Sequence, residues 1–185
     1  MTRILPLALA AAAALIVPAA ATAELPVGAK APGFATQGAL AGKAFGFNLT
    51  AALRKGPVVL YFYPKSFTQG CTLEAHAFAE AMDDFQKAGA TVIGLSADDL
   101  ETQKKFSTEH CRDKFPVAIA TPAIIQAYQV QLKKPDGALL PMTSRTSYVI
   151  GRDGRIKLTY TNMDYKDHVK QSLTAVRALK ARPKG

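Results

Sequence analysis

Cys71 is the residue of this chain best placed to carry out chemistry. In residues 61–75, YFYPKSFTQGCTLEA, an apolar β-rich run ends at Pro64, a loop follows, and Cys71 falls in the first turn of a predicted helix. Functional groups in open α/β sheets lie at the carboxyl ends of strands. A helix N-terminus also favours a thiolate, because its dipole stabilises an anion. The pattern therefore predicts a reactive, nucleophilic cysteine.

The helix N-terminus alone is too weak to activate such a thiol. A free cysteine, with a pKa near 8.5, is only about 3% thiolate at pH 7. A helix terminus contributes about 0.3–1 kcal/mol, whereas a single pKa unit requires about 1.36 kcal/mol. A nearby cation must supply the rest. On spacing alone, Lys65, Arg145 and Arg152 are all candidates.

The residues around the cysteine match a known signature. Pro64, Thr68 and Cys71 fit the pattern P-x-x-x-[TS]-x-x-C of peroxiredoxins, and the wider string resembles the PrxQ branch, also called bacterioferritin-comigratory proteins. Weaker similarity lies in the outer motifs VGAKAPGF, AYQV and SRTSYVIGRDGRI. The chain departs from the branch at Gln69, where proline is usual, and at Ser66, where aspartate is common, and both changes concern the rigidity of the loop. The resemblance implies a thiol-dependent peroxidase for hydrogen peroxide and organic hydroperoxides, with no cofactor.

This resemblance gives a role to each of five residues. Cys71 would be the peroxidatic thiolate that becomes a sulfenic acid, and Thr68 would hydrogen-bond the thiolate and the incoming peroxide. Pro64 would shield the site from water. Arg145 would be the cation that stabilises the thiolate and polarises the O–O bond, and Glu74 would orient that arginine.

The resemblance also bears on the second cysteine, Cys111. Many PrxQ proteins carry a resolving cysteine five residues after the first one, where this chain has His76. Others carry it in a later helix, and Cys111 lies near the end of the helix predicted for residues 99–112. We therefore expect Cys71 and Cys111 to form an intramolecular disulfide during turnover. A structural bridge and a free thiol are the alternatives.

The rest of the chain predicts one α/β domain. The runs VVLYFY at 58–63 and TVIGLS at 91–96 are typical of buried strands, and a hairpin is expected at Asp153-Gly154. Together with the helices, this order predicts a mixed β-sheet covered by helices on both faces. A thioredoxin-like fold fits it, and the pattern alone also allows a small flavodoxin-like sheet. Helices are predicted over residues 68–87, 99–112, 122–128 and 164–180.

Residues 1–23 have the layout of a secretory signal peptide. Arg3 precedes an apolar run of about 17 residues, and an A-x-A pattern follows at 21–23. The run is short and rich in alanine for a membrane span. We therefore expect cleavage before Glu24, export to the periplasm without stable membrane association, and a single thioredoxin-like peroxiredoxin domain over residues 24–185.

Composition argues against several other classes of protein. The net charge is +9, but the basic residues are scattered and no nucleic-acid-binding motif accompanies them, so no nucleic acid partner is expected. His76, His110 and His168 have no metal-ligand spacing with the cysteines. We expect each of them at a surface or on a helix face, and no metal site. The resemblance implies a peroxide substrate, a dithiol reductant (a thioredoxin-like protein or a small thiol) and a monomer.

Two rival functions remain open. An exported thiol–disulfide oxidoreductase usually carries C-x-x-C, and a copper-assembly protein needs C-x-x-x-C, where this chain has Ala75. A non-catalytic thioredoxin-like module that binds a cell-envelope partner is the second rival. Such a module would be indifferent to the loss of Cys71.

Overall fold

The computed structural model describes residues 24–181, so the predicted signal peptide lies outside the described residues. No helix within this range is both long and apolar enough to cross a membrane. The elements, in chain order, are β1 (Ala35–Leu40), β2 (Lys43–Asn48), α1 (Leu49–Lys55), β3 (Val58–Phe62), α2 (Gln69–Glu80), α3 (Met82–Lys87), β4 (Thr91–Ser96), α4 (Leu100–Glu109), β5 (Val117–Ile119), α5 (Pro122–Tyr128), β6 (Gln131–Lys133), β7 (Leu139–Thr143), β8 (Thr146–Ile150), β9 (Ile156–Thr161) and α6 (His168–Lys180).

Seven of these strands form one mixed sheet in the order β2-β1-β5-β4-β3-β8-β9, and β6 pairs separately with β7. The central strands β3, β4 and β5 are parallel, whereas β8 and β1 pair with them in the antiparallel sense. Strand β3 is buried along its whole length, as its continuous apolar run requires when helices cover both faces of a sheet. The predicted mixed sheet is confirmed.

The side chains of β3 alternate between two packed cores, one on each face of the sheet. Val58, Leu60 and Phe62 belong to the first core, which also contains residues of α1 and α5. Val59 and Tyr61 belong to the second, which contains residues of α2, α3, α4 and α6. Both cysteines lie in this second core. The sheet and four helices therefore hold the two thiols on the same side of the fold.

The single helix predicted over residues 68–87 is two helices in the structure. The chain breaks at Ala81, whose N–H is shared between the carbonyls of Ala77 and Phe78. This shared bond tightens the last turn of α2, and α3 starts one residue later. Gly89, at φ +77°, follows the end of α3, where glycine adopts this conformation without strain.

Two neighbouring aspartates at the start of helix α4 have different roles. Asp99 is the N-cap residue, and its Oδ1 accepts the N–H of Thr102 at 2.8 Å. Asp98 instead accepts the backbone N–H of Ser66 at 2.7 Å. One aspartate therefore starts the helix, while its neighbour holds the loop that precedes Cys71.

Candidate active site

Cys71 is placed at the start of α2, where it is only 1% exposed. Thr68 is the N-cap residue, but its side chain makes no capping bond. Its Oγ1 donates instead to the carbonyl of Lys65 at 2.9 Å. The amides of Gly70 and Cys71, in the first turn, consequently have no side-chain acceptor from the cap. These N–H groups point toward the N-terminal end of α2 and favour negative charge there, which includes a thiolate at Cys71.

Arg145 binds three groups with its three guanidinium nitrogens. Nη2 donates to Cys71 Sγ at 3.5 Å, Nη1 donates to Glu74 Oε2, and Nε donates to the carbonyl of Met163 at 3.1 Å. The side chain is almost fully buried. A Cβ on Gly70 would lie 3.2 Å from Nη2, so glycine at this position leaves room for the arginine. The planar fork is thereby fixed against the sulfur, an arrangement that a lysine could not reproduce.

Burial acts in opposite directions on the two charged partners of this site. It lowers the pKa of Arg145, but the attraction of Glu74 and Cys71 outweighs it, and the pKa ends above its ordinary value. It raises the pKa of Glu74 to about 8, although Arg145 acts to lower it. The arginine is therefore a permanent cation, whereas the carboxyl group takes up a proton readily.

The structure distinguishes the three cations that spacing alone had left open. Lys65 is exposed. Arg152 is also exposed, and it donates to the carbonyl of Arg54 at 3.0 Å. Among residues 24–181, Arg145 is the cation whose donor reaches Cys71.

A buried polar network fixes the loop between β3 and α2. Pro64, half-buried, opens this loop directly after Tyr63. The Tyr63 hydroxyl lies 3.2 Å from Ser66 Oγ and donates to Gln103 Oε1 at 3.0 Å. Because Ser66 also donates its N–H to Asp98, the loop is bound both to the end of β4 and to α4. Serine at this position thus supports the loop, a role that the sequence did not reveal.

His168 is the first residue of α6 and is fully buried, so of the two positions expected for it, a surface or a helix face, the surface position is wrong. Its Nδ1 lies 2.8 Å from Ser147 Oγ and its Nε2 lies 2.9 Å from the carbonyl of Asn162. The same Nδ1 is 3.8 Å from Glu74 Oε1. Burial lowers the pKa of His168 to about 4, so the ring is neutral near pH 7. Sequence reasoning missed this neighbour of the site because its contacts lie far apart in the chain.

Cys111 is a free, fully buried thiol in a turn just beyond α4. The predicted helix over residues 99–112 is shorter than expected, and the Cys111 N–H closes the end of α4 on the carbonyl of Phe106 at 3.0 Å. The next two residues, Arg112 and Asp113, adopt left-handed φ values of 51° and 57°. Burial raises the pKa of Cys111 well above its usual value. In this conformation it is a protonated thiol enclosed in the core.

His76 and His110 meet at the surface beside this turn. His110 Nδ1 lies 3.4 Å from His76 Nε2, which joins α2 to the residue just before Cys111. His76 occupies the position where many PrxQ proteins carry their resolving cysteine. Within the part of the chain that the structure describes, no three metal-ligating side chains come close enough to hold an ion.

Comparison with known proteins places this site in context. The AhpC/TSA family profile matches residues 27–159. The chain is 33% identical over 138 residues to the chloroplastic peroxiredoxin Q of Suaeda salsa, and this alignment covers 72% of this chain and 62% of that relative. It is 32% identical over 121 residues to peroxiredoxin Bcp of Bacillus subtilis, and this alignment covers 65% of this chain and 77% of that relative. The match to the plant protein thus spans less than two thirds of its length.

Solved structures are similar as well. Peroxidoxin BcpB of Mycobacterium tuberculosis superposes with a TM-score of 0.73 at 28% identity, over 85% of this chain and 98% of that one. Peroxiredoxin Q of Xanthomonas campestris gives 0.68 at 26% identity, over 78% and 90% of the two chains. The likeness confirms the thioredoxin-like fold, so the flavodoxin-like alternative is wrong.

Proposed function

Because this chain belongs to the AhpC/TSA family and to its peroxiredoxin Q and Bcp branch, we propose that it is a thiol-dependent peroxidase with Cys71 as its nucleophile. The observation that carries the proposal is the contact between Arg145 Nη2 and Cys71 Sγ at 3.5 Å. A buried cation and the N-terminus of α2 both act on this one sulfur, and both favour its thiolate form. The thiolate is the form that attacks a peroxide.

The reaction follows from the donors and acceptors around the sulfur. The thiolate of Cys71 attacks one peroxide oxygen, the S–O bond forms and the O–O bond breaks. The attacked oxygen keeps its hydrogen, so Cys71 becomes a sulfenic acid, and the departing oxygen takes a proton from solvent and leaves as water or an alcohol. Arg145 stabilises the negative charge that passes to the departing oxygen. The Thr68 hydroxyl donates its proton to the carbonyl of Lys65, so the lone pairs of Thr68 Oγ1 are available to accept a hydrogen bond from the O–H of the peroxide.

The test of this proposal is the replacement Cys71→Ser. We expect it to abolish hydrogen peroxide consumption in the presence of a dithiol reductant while thermal unfolding stays cooperative. The matched control is Cys111→Ser, which should keep the first turnover. Wild-type consumption by the Cys71→Ser variant would refute the assignment. Insulin reduction, measured in parallel, would be the main activity if the chain were an oxidoreductase. If the chain were only a binding module, neither activity would be seen.

We further propose that Cys111 resolves the sulfenic acid as an intramolecular disulfide after the end of α4 unfolds locally. Cys111 is buried as a protonated thiol, so it must move before it can attack. The left-handed Arg112 and Asp113 each cost about 1–2 kcal/mol, which lowers the further energy needed for opening. The bridge would close a 41-residue loop (residues 71 to 111), and this would stabilise the oxidised chain by about 3–4 kcal/mol if unstrained.

To test this step, the wild type and Cys111→Ser are oxidised with stoichiometric peroxide and analysed by mass spectrometry. The wild type should lose two thiols and yield a peptide that links Cys71 to Cys111. The Cys111→Ser variant should stop at the sulfenic acid or proceed to the sulfinic acid. Accumulation of Cys71 sulfenic acid in the wild type, with Cys111 still free, would make this a one-cysteine peroxidase.

The cellular setting is a proposal as well. We propose that the chain is exported to the periplasm as a monomer and is reduced there by a thioredoxin-like protein or a small thiol. The support is the layout of residues 1–23 described above. N-terminal sequencing of the protein from its host should begin at Glu24, and recovery of Met1 or Thr2 would contradict export.

A further inference from the structure

His168 is fully buried next to Glu74. Its Nε2 lies 2.9 Å from the carbonyl of Asn162. A carbonyl only accepts hydrogen bonds, so Nε2 must carry the ring proton. Nδ1 of the neutral ring is then bare, and it accepts the hydroxyl proton of Ser147 at 2.8 Å. The hydrogen bonds thus fix the tautomer of His168.

The second carboxyl oxygen of Glu74 faces this bare nitrogen. Glu74 Oε2 is bound by Arg145, but Oε1 is buried without a hydrogen-bond partner among the described residues. Oε1 lies 3.8 Å from His168 Nδ1, which is beyond hydrogen-bond distance. The lone pair of Nδ1 already accepts the Ser147 hydroxyl. Two acceptors that face each other in a buried site disfavour negative charge on the oxygen.

From this geometry we propose that His168 is a positioning residue for the Cys71 nucleophile. Its unprotonated Nδ1 disfavours ionisation of Glu74, so the positive charge of Arg145 acts on the Cys71 thiolate alone. The inference rests on the proposed peroxidase function and extends it. When Glu74 is ionised, Arg145 is shared between two anions. When Glu74 is protonated, Arg145 pairs with the thiolate alone and the buried group is neutral. The Cys71 and Glu74 protons are therefore coupled.

The groups around His168 act on its pKa in both directions. Burial has the largest effect and, with the nearby Arg145, opposes protonation of the ring, whereas the Asn162 carbonyl and two exposed aspartates near the start of α6 favour it. The ring of Tyr160 also packs edge-on against it, at 4.8 Å between centroids. The titratable and charged groups that face His168 are Glu74 from α2, Arg145 from the turn before β8, Tyr160 from β9, and Asp164 and Asp167 from the segment before α6.

Two variants test the coupling in opposite directions. His168→Gln can keep a donor to the carbonyl of Asn162 but removes the nitrogen that faces Glu74. Ser147→Ala keeps the ring and frees Nδ1 to accept a hydrogen bond from protonated Glu74, which favours the neutral carboxyl group. Iodoacetamide alkylation of the Cys71 peptide is followed by mass spectrometry from pH 5 to 9. We expect the pH midpoint of this alkylation profile to rise by about half a pH unit in His168→Gln and to fall in Ser147→Ala. At pH values below the midpoint, the rise in His168→Gln corresponds to about a threefold loss of thiolate.

An unchanged alkylation profile in a folded His168→Gln variant would overturn the inference, because anchoring of the Asn162 carbonyl would then be the whole role of His168. Shifts of the same sign in both variants would also overturn it. If His168→Gln does not fold, Ser147→Ala decides: a lower midpoint supports the coupling, and an equal or higher one refutes it. Alkylation requires no turnover. Opposite shifts in a protein that consumes no peroxide would therefore refute the proposed function and leave the coupling intact.

Discussion

The replacement Arg145→Met removes the cation that contacts Cys71 and leaves an apolar side chain in its place. At the 3.5 Å between Nη2 and Sγ, an effective dielectric constant of about 20 gives an attraction of about 5 kcal/mol. When Glu74 is ionised, it offsets part of this attraction. In the variant the carboxyl group is not left as an unpaired charge, since burial already raises its pKa to about 8 and it takes up a proton. An adjacent opposite charge typically shifts an ionisation by about 1–3 pH units.

We therefore expect the pH midpoint of Cys71 alkylation by iodoacetamide to rise by about one to two pH units in Arg145→Met. Peroxide consumption at pH 7 should fall at least about tenfold, because the departing oxygen loses the cation that stabilises its negative charge. Arg145→Lys should lie between the wild type and Arg145→Met, because it keeps the charge and loses the planar fork. Arg152→Met, at an exposed arginine, is the matched control and should leave the profile unchanged. A wild-type profile in folded Arg145→Met would refute the reasoning and direct attention to Lys65.

Two further predictions concern stability. Gly94→Ala should lower the free energy of unfolding by about 1–3 kcal/mol in urea titrations, because its Cβ would lie 2.6 Å from Tyr61 Cζ. Gly46→Ala, with open space around the new Cβ, is the control, and equal losses in the two variants would contradict the packing argument. Burial lowers the pKa of His168 from 6.5 to about 4, so its contribution is present above pH 6.5 and is lost as the pH falls toward 4. Relative to His168→Gln, the wild type should lose up to about 3 kcal/mol over this range, and a constant difference from pH 7 to 4 would contradict it.

The elements that the sequence predicted well are those with strong local signals. Strand β4 and helix α5 have the predicted bounds. An apolar β-rich run sets β4, and Pro122 opens α5 after the Thr121 cap, whose Oγ1 accepts the N–H of Ile124 at 3.3 Å. Strand β3 stops one residue short of its prediction. In each case the residues that define the element lie within it, so the pattern is readable without knowledge of the fold.

The elements that were missed depend on contacts from elsewhere. Helix α1 is only seven residues long, and its cap, Asn48, is also the last residue of β2. Strands β6 and β7 are short and pair irregularly with each other. Helix α4 ends at Glu109, three residues before its predicted end, because the chain turns there into a left-handed conformation at Arg112 and Asp113. No local sequence pattern in those residues predicts that turn.

In the candidate site too, the residues with a local sequence signal were predicted and those that depend on distant contacts were missed. The roles of Cys71, Glu74 and Arg145 were expected from the family resemblance, and the structure brings these three side chains together. Thr68 lies at the start of α2 as expected, but its hydroxyl proton is bound to Lys65 rather than to the sulfur. The surrounding support from Gln103 and His168 was not foreseen. Its hydrogen bonds join residues from distant elements, and such pairings follow only from the assembled sheet.

Helix α4 is held differently at its two ends, and this asymmetry bears on how much peroxide the protein survives. Its first turns are held by the Asp99 cap and the buried Gln103, so opening should begin at the far end. In the proposed cycle a sulfenic acid at Cys71 meets either Cys111 or a second peroxide, and the second encounter gives an irreversible sulfinic acid. The opening rate of that last turn therefore sets the ratio of regeneration to self-inactivation. In this proposed cycle the backbone of Arg112 and Asp113 should therefore govern the peroxide dose that the protein tolerates.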